Sequence, residues 1–184
     1  MTTLTLTIMR ALPGAGKTYH ATRIAAETGA GIGSADTFPG LYGPADENGR
    51  PTYNVALAGS AHGACFRHAV ESLQSGQSVI VDNTNLSLDE IAPYILLAQA
   101  YQAEPKVLTV ACDPEVAHAR NTHGVPWAVV KTPEGDVVKT YSPSESIPEG
   151  SEVLGGFVEM IGRFQAFQAP FHWQFIPGFE SIRA

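Results

Sequence analysis

The stretch Ala11-Leu-Pro-Gly-Ala-Gly-Lys-Thr18 restricts what this chain can fold into more than any other. It fits the phosphate-binding loop pattern, with Ala11 where glycine is usual, a position that needs only a small side chain. Before it, Leu4 to Met9 alternates Thr with apolar residues and reads as a strand. After it, Lys17 to Thr28 reads as a helix that stops at Gly29. In this context Gly14 and Gly16 let backbone N–H groups turn inward around an anion. The new helix aims the positive end of its dipole at the same point. Pro13, Gly14, Ala15, Gly16, Lys17 and Thr18 are therefore the expected phosphate-binding residues. Lys17 would reach the β- and γ-phosphates, and Thr18 would offer its hydroxyl to Mg2+. ATP with Mg2+ is the expected ligand.

The rest of the chain repeats strand and helix in turn. A short strand near Ile32 leads to Ser34, Ala35 and Asp36, and a Gly/Pro/Asp/Asn-rich loop spans Phe38 to Tyr53. Ala56 to Gln74 is helical, with Gly76 as its stop. Ser78 to Val81 is a strand buried on both faces that ends at Asp82. Ser87 and Glu90 form a capping box for a helix running toward Ala103, with a bend expected at Pro93. Lys106 to Ala111 is the next strand and Pro114 to Asn121 the next helix. Strands alternating with helices predict an α/β fold of the P-loop type, a parallel sheet flanked by helices. WAVVKT and DVVKTY around Pro133-Glu134-Gly135 predict a β-hairpin, followed by a Ser/Pro/Glu-rich loop to Ser151. Residues 127–156 read as an inserted arm near the lid of a single domain spanning 1–184. Phe157 to Phe167 is an expected helix and Trp173 to Ile176 an expected last strand.

Composition excludes some functions. With 44% hydrophobic and 16% charged residues the chain is globular rather than disordered. No apolar run approaches the length of a membrane span. Cys65 and Cys112 make neither a disulfide framework nor a metal set, so both read as buried thiols and a reducing, cytoplasmic setting is expected. The net charge of -7 and 11 scattered Lys and Arg argue against an extended grip on DNA or RNA. A strand end or a nucleotide in a local pocket stays compatible. The C-terminal aromatics, among them Phe164, Phe167, Trp173 and Phe175, read as core packing rather than base-stacking groups.

Three charged residues have site-like positions. Asp82 ends the third apolar strand, where a carboxylate lies beside Thr18 and can bind Mg2+; the alternative is a loop cap helped by Asn83 and Asn85. Asp36 follows the second strand and projects into the crevice at the C-terminal strand ends. It can accept the proton of an attacking hydroxyl, or simply cap a turn. Arg120, late in its helix, can offset the charge of a transferring phosphoryl group or serve as a solvated helix-end cation. His123, ahead of Gly124, reads as a turn residue.

The strings RALPGAGKT, SADTF, AHGACFRHAVESL, VIVDNTNLSLDEIAPY and ARNTHGVP resemble the AAA-type P-loop kinases grouped with polynucleotide kinase. The resemblance covers most of residues 1–126, and GRF around Arg163 continues it. It implies a kinase that phosphorylates 5′-hydroxyl ends of DNA or RNA with ATP and Mg2+. By the same resemblance Lys17 and Thr18 hold the phosphates and metal, Asp36 is the general base, and Arg120 belongs to a lid over the γ-phosphate. Asp82 would begin the second acidic motif. The arm of about thirty residues before Met160 departs from that pattern, and no companion phosphatase domain is evident. Two other functions stay open: a kinase for a small molecule or a modified base in DNA, and a non-catalytic ATPase switch.

Overall fold

The computed structural model describes residues 3–47, 49, 51–133, 137–166 and 179–183, the last five by their backbone only. Its centre is β1 (Thr5–Arg10), which pairs in parallel with β5 (Val79–Val81) on one side and β6 (Glu104–Ala111) on the other. β2 (Gly31–Gly33) lies outside β5 and β10 (Phe179–Arg183) outside β6, giving the all-parallel order β10-β6-β1-β5-β2. Although β1 alternates Thr with apolar residues, Leu6 through Arg10 are all buried. Parallel sheets explain this, because their crossover helices cover both faces.

The pleat divides the core in two. Leu6, Ile8, Val79, Val81 and Val107 point to one side, against α2 (Val55–Gln74) and α3 (Leu88–Ala100). Met9, Ile80, Leu108 and Val110 point to the other, against α1 (Lys17–Thr28), α4 (Pro114–Ala119) and α5 (Phe157–Ala166). Phe164 packs into this second cluster, with the buried Arg10 guanidinium 4.1 Å above its ring. Phe167 and the expected strand Trp173–Ile176 lie outside the described residues. α3 runs through Pro93 as one helix. Its capping box is present: Glu90 Oε2 accepts from the backbone N–H of Ser87 at 3.1 Å and of Leu86 at 2.6 Å. Arg163 of α5 donates to the same Glu90 at 2.9 Å and to Ser87 Oγ at 3.2 Å, fastening α5 to the start of α3.

Two small antiparallel sheets rise from this frame. The segment expected as a plain loop contains a hairpin of β3 (Tyr42–Ala45) and β4 (Pro51–Tyr53), in which Tyr42 faces Tyr53 across the strands. Short strands with Gly and Pro inside them carry little of the periodicity that marks a strand, which is why the composition suggested a loop. The second sheet holds β7 (Ala128–Lys131) between β8 (Val138–Tyr141) and β9 (Glu152–Gly155). Here the expected hairpin gains a third strand from the end of the Ser/Pro/Glu-rich segment. The excursion returns to its origin: the N–H groups of Phe157 and Val158 donate to the carbonyls of Pro126 and Trp127 at 2.8 and 2.9 Å. The Trp127 and Phe157 rings stack at that junction, 5.8 Å apart. Cys65 is buried as expected, while Cys112 is only partly so.

Candidate functional site

The loop from Ala11 to Gly16 leaves β1 at the centre of the sheet and enters α1. Ala11 is fully buried in the second core cluster, so smallness is what its position demands. Gly14 has φ 78°, and a Cβ placed there would sit 2.0 Å from the Ala117 carbonyl oxygen of α4. Both left-handed backbone and close packing therefore require glycine. Gly16, at φ 93°, is the N-cap of α1 and caps it with no side chain; the first turn of α1 carries no acidic residue. That helix end offers its donors and dipole to an anion.

Lys17 is buried at 8% exposure. Burial lowers its pKa, and the carboxylates of Asp82 and then Asp36 act in the opposite direction, favouring the ammonium. Thr18 is exposed at the loop's mouth. Asp82, at the end of β5, is 4% exposed, and its Oδ1 has no hydrogen-bond partner among the described residues. A buried carboxylate oxygen left open beside a phosphate loop fits the requirement of a Mg2+ site. The two asparagines that follow have structural tasks. Asn83 Oδ1 accepts from Ala35 N at 2.9 Å, and Asn85, at φ 45°, donates from Nδ2 to the Met9 carbonyl at 2.7 Å. They tie the segment after β2 and the end of β1 to the loop carrying Asp82.

Asp36 stands in a short 3-10 turn, Ala35–Thr37. The cap of that turn is Ser34, whose Oγ accepts from Asp36 N at 3.3 Å, so the Asp36 carboxylate is not spent on capping. One of its oxygens, Oδ1, accepts from the Tyr42 hydroxyl at 3.0 Å. The other, Oδ2, lies 3.7 Å from His123 Nε2. Burial first, and then Asp36, push the Tyr42 phenol well above its ordinary pKa, so it remains a donor. His123 does sit in a turn, its N–H donating to Asn121 Oδ1 at 3.0 Å, and its imidazole also faces Asp36.

Lys17 and Asp36 line one cleft of about 680 Å3. Its walls come from the β3–β4 hairpin, the start of α2, the His123–Pro126 segment and the root of the arm at Val129 and Gly156. Arg120 is not among the lining residues. It is the exposed C-cap of α4, next to Asn121, whose backbone N lies 2.9 Å from the position of a Gly14 Cβ. Sequence reasoning overlooked Tyr42, Tyr53 and His62. The two tyrosines were hidden in a segment whose composition signalled only a loop, and the cross-strand register that pairs them has no linear signature.

A P-loop followed by a helix, on the central strand of a five-stranded parallel sheet, defines the class: a nucleotide-binding α/β domain with the kinase-type fold. A family model described as an AAA domain matches residues 6–123, from β1 through His123, and the chain belongs to that family. Human NEDD4-binding protein 2 is 33% identical over 130 residues; this covers 66% of the chain but 7% of that protein's length. A putative kinase from Chloroflexus aurantiacus superposes with a TM-score of 0.52 at 24% identity, covering 65% of this chain and 64% of that one. A gluconokinase from Sinorhizobium meliloti gives a TM-score of 0.52 at 12% identity, covering 100% and 84%. At these identities the two structures speak for the fold alone. Among the described residues no helix is long and apolar enough to cross a membrane.

Proposed function

We propose that this protein is an ATP-dependent kinase that transfers the γ-phosphate to a hydroxyl of a nucleic-acid 5′ end or a nucleotide-like acceptor, as the resemblance to polynucleotide kinase implies. The observation that carries the reading is the cleft shared by Lys17 and Asp36. One is the cation of the phosphate loop. The other is an exposed carboxylate that accepts from the Tyr42 hydroxyl at one oxygen and faces His123 Nε2 at 3.7 Å with the other.

The reaction follows from those positions. The phosphates of ATP lie in the loop from Pro13 to Thr18, with Lys17 against the β- and γ-oxygens. The acceptor hydroxyl gives its proton to Asp36 as its oxygen bonds to the γ-phosphorus. The bond from that phosphorus to the bridging oxygen breaks, and ADP leaves with the electron pair. Mg2+, held by Thr18 and Asp82, would neutralise charge on the phosphate oxygens when bound. Arg120, on the segment against the loop, would supply a further cation if that segment closes over the γ-phosphate. Nothing in this scheme needs covalent chemistry from the protein. Positioning and electrostatics carry it.

Asp36→Asn tests the assignment. ATP binding is expected to stay within about twofold, while phosphoryl transfer to a 5′-hydroxyl oligonucleotide or a nucleoside falls by roughly two to four orders of magnitude. Undiminished transfer by that variant removes Asp36 from the mechanism.

A further inference from the structure

The acceptor side of the cleft has a chemistry of its own. Tyr42 of β3, Tyr53 of β4 and His123 of the segment after α4 form a continuous aromatic wall. The Tyr42 and Tyr53 ring centroids are 5.5 Å apart, and those of Tyr42 and His123 are 5.1 Å apart at an interplanar angle of 31°. Packing within the hairpin accounts for the pairing of Tyr42 with Tyr53. It does not account for Tyr53 being 48% exposed while lining the cleft. The wall touches Asp36 itself through the Tyr42 hydroxyl, which sets that carboxylate beside any ring resting on it.

The second observation is charge. Among the described residues that line the cleft, Lys17 is the one Lys or Arg, and it stands at the phosphate loop. The acceptor side offers Asp36, phenols and the imidazoles of His62 and His123. A phosphate one sugar ring away from the reacting hydroxyl would meet the Asp36 carboxylate, and among the described lining residues the one lysine or arginine that could balance the two is Lys17, which the phosphates of ATP engage. At the effective dielectric of a protein cleft this repulsion is worth about tenfold or more in affinity.

We propose that this wall is an acceptor subsite for an uncharged alcohol that carries a flat ring and has the size of a single nucleoside. The proposal rests on the kinase reading above; of the two acceptors named there it keeps the nucleotide-like one and sets the nucleic-acid 5′ end aside. The ring stacks on Tyr53 and Tyr42, and the primary hydroxyl points at Asp36. Stacking of this kind tolerates different rings, because every base presents a π face. The volume of about 680 Å3 falls in the range of small-ligand sites.

Calorimetric titration of the ADP-loaded protein separates the outcomes, with thymidine, adenosine, thymidine 3′-monophosphate and a 5′-hydroxyl oligothymidylate as probes. Transfer of label from ATP is measured alongside. Thymidine or adenosine is expected to bind at least tenfold more tightly than the 3′-monophosphate or the oligomer. Tyr53→Ala should weaken that binding about tenfold, and Tyr53→Phe should restore it. Val55→Lys, which places a cation on an exposed residue at the cleft rim, should narrow the discrimination against the 3′-monophosphate severalfold. Equal or tighter binding of the phosphate-bearing probes overturns the proposal. So does failure of both nucleosides to bind, or a Tyr53→Ala variant that changes only the KM for ATP. Nucleoside binding that depends on Tyr53 but brings no phosphoryl transfer would sink the kinase reading and leave the subsite standing. Transfer to ringless alcohols alone would do the reverse.

Discussion

Gly14 and Gly16 look alike in the sequence, and the structure separates them. Both have positive φ, 78° and 93°. A Cβ on Gly14 would lie 2.0 Å from the Ala117 carbonyl oxygen, whereas one on Gly16 would meet nothing within 4 Å. Gly16→Ala should therefore cost the left-handed conformation alone, about 1–2 kcal/mol. Gly14→Ala should cost that and the displacement of α4, about 2–4 kcal/mol in all. Urea denaturation of the two variants decides it, and equal losses would refute the packing account. Asp36 makes a related point. Two roles were open to it from sequence, turn cap or cleft carboxylate, and Ser34 fills the first. His123 kept its expected place in a turn and acquired a partner, Asp36, that no linear reading suggests.

Among the elements, the arm from β7 to β9 is the clearest departure from the alternating α/β pattern. Its hairpin was legible because apolar alternation flanks a Pro-Glu-Gly turn signal. Its third strand was not, since Glu152–Gly155 is short and follows a segment rich in Ser, Pro and Glu. The arm begins and ends at one point, where Phe157 and Val158 donate to Pro126 and Trp127. Val130 and Val153 are already cross-strand partners near its base. Joining those two residues by an Asn-Gly turn removes the outer part of the arm without opening this junction. The shortened protein is expected to melt cooperatively, within about 5 °C of the full chain, and to keep ATP affinity within threefold. Loss of cooperative melting would show that the arm is part of the core. The hairpin of β3 and β4 teaches the opposite lesson: a stretch read as loop carries the two tyrosines that wall the cleft.

At the scale of the molecule, burial has shifted a set of weak acids in one direction. It pushes the Tyr42, Tyr53 and Tyr94 phenols above their usual 10.0 and the Cys65 thiol above 9.0. The folded protein thus retains protons that the unfolded chain releases, and stability declines as pH rises through those ordinary values. Burial of Lys17 and Arg10 lowers their pKa and works the other way. The cleanest readout is therefore a difference between proteins. Tyr94, buried and donating to Cys65 Sγ at 3.6 Å, is the chosen residue. Between pH 8.5 and 10.5 the unaltered protein should lose about 1 kcal/mol more stability than Tyr94→Phe, by denaturant titration at each pH. Parallel losses in the two would mean that Tyr94 ionises as readily folded as unfolded.

What the sequence by itself determined is local. The phosphate loop, the helix that follows it, the capping box at Ser87 and Glu90, and the buried strand before Asp82 each depend on neighbours within a few residues. Backbone conformation and side-chain caps act over that range. The identity of the domain as an α/β phosphate binder was therefore legible from Ala11–Thr18 and the alternation of strands and helices. Only the tertiary structure decided what stands in front of the loop. Asp36, Tyr42, Tyr53 and His123 come from four separate segments, and their meeting depends on parallel strand order, a hairpin register and a turn after α4. Side-chain contacts across such distances follow from packing, which no local pattern encodes. The phosphate loop was written in the chain. The wall facing it was assembled by the fold.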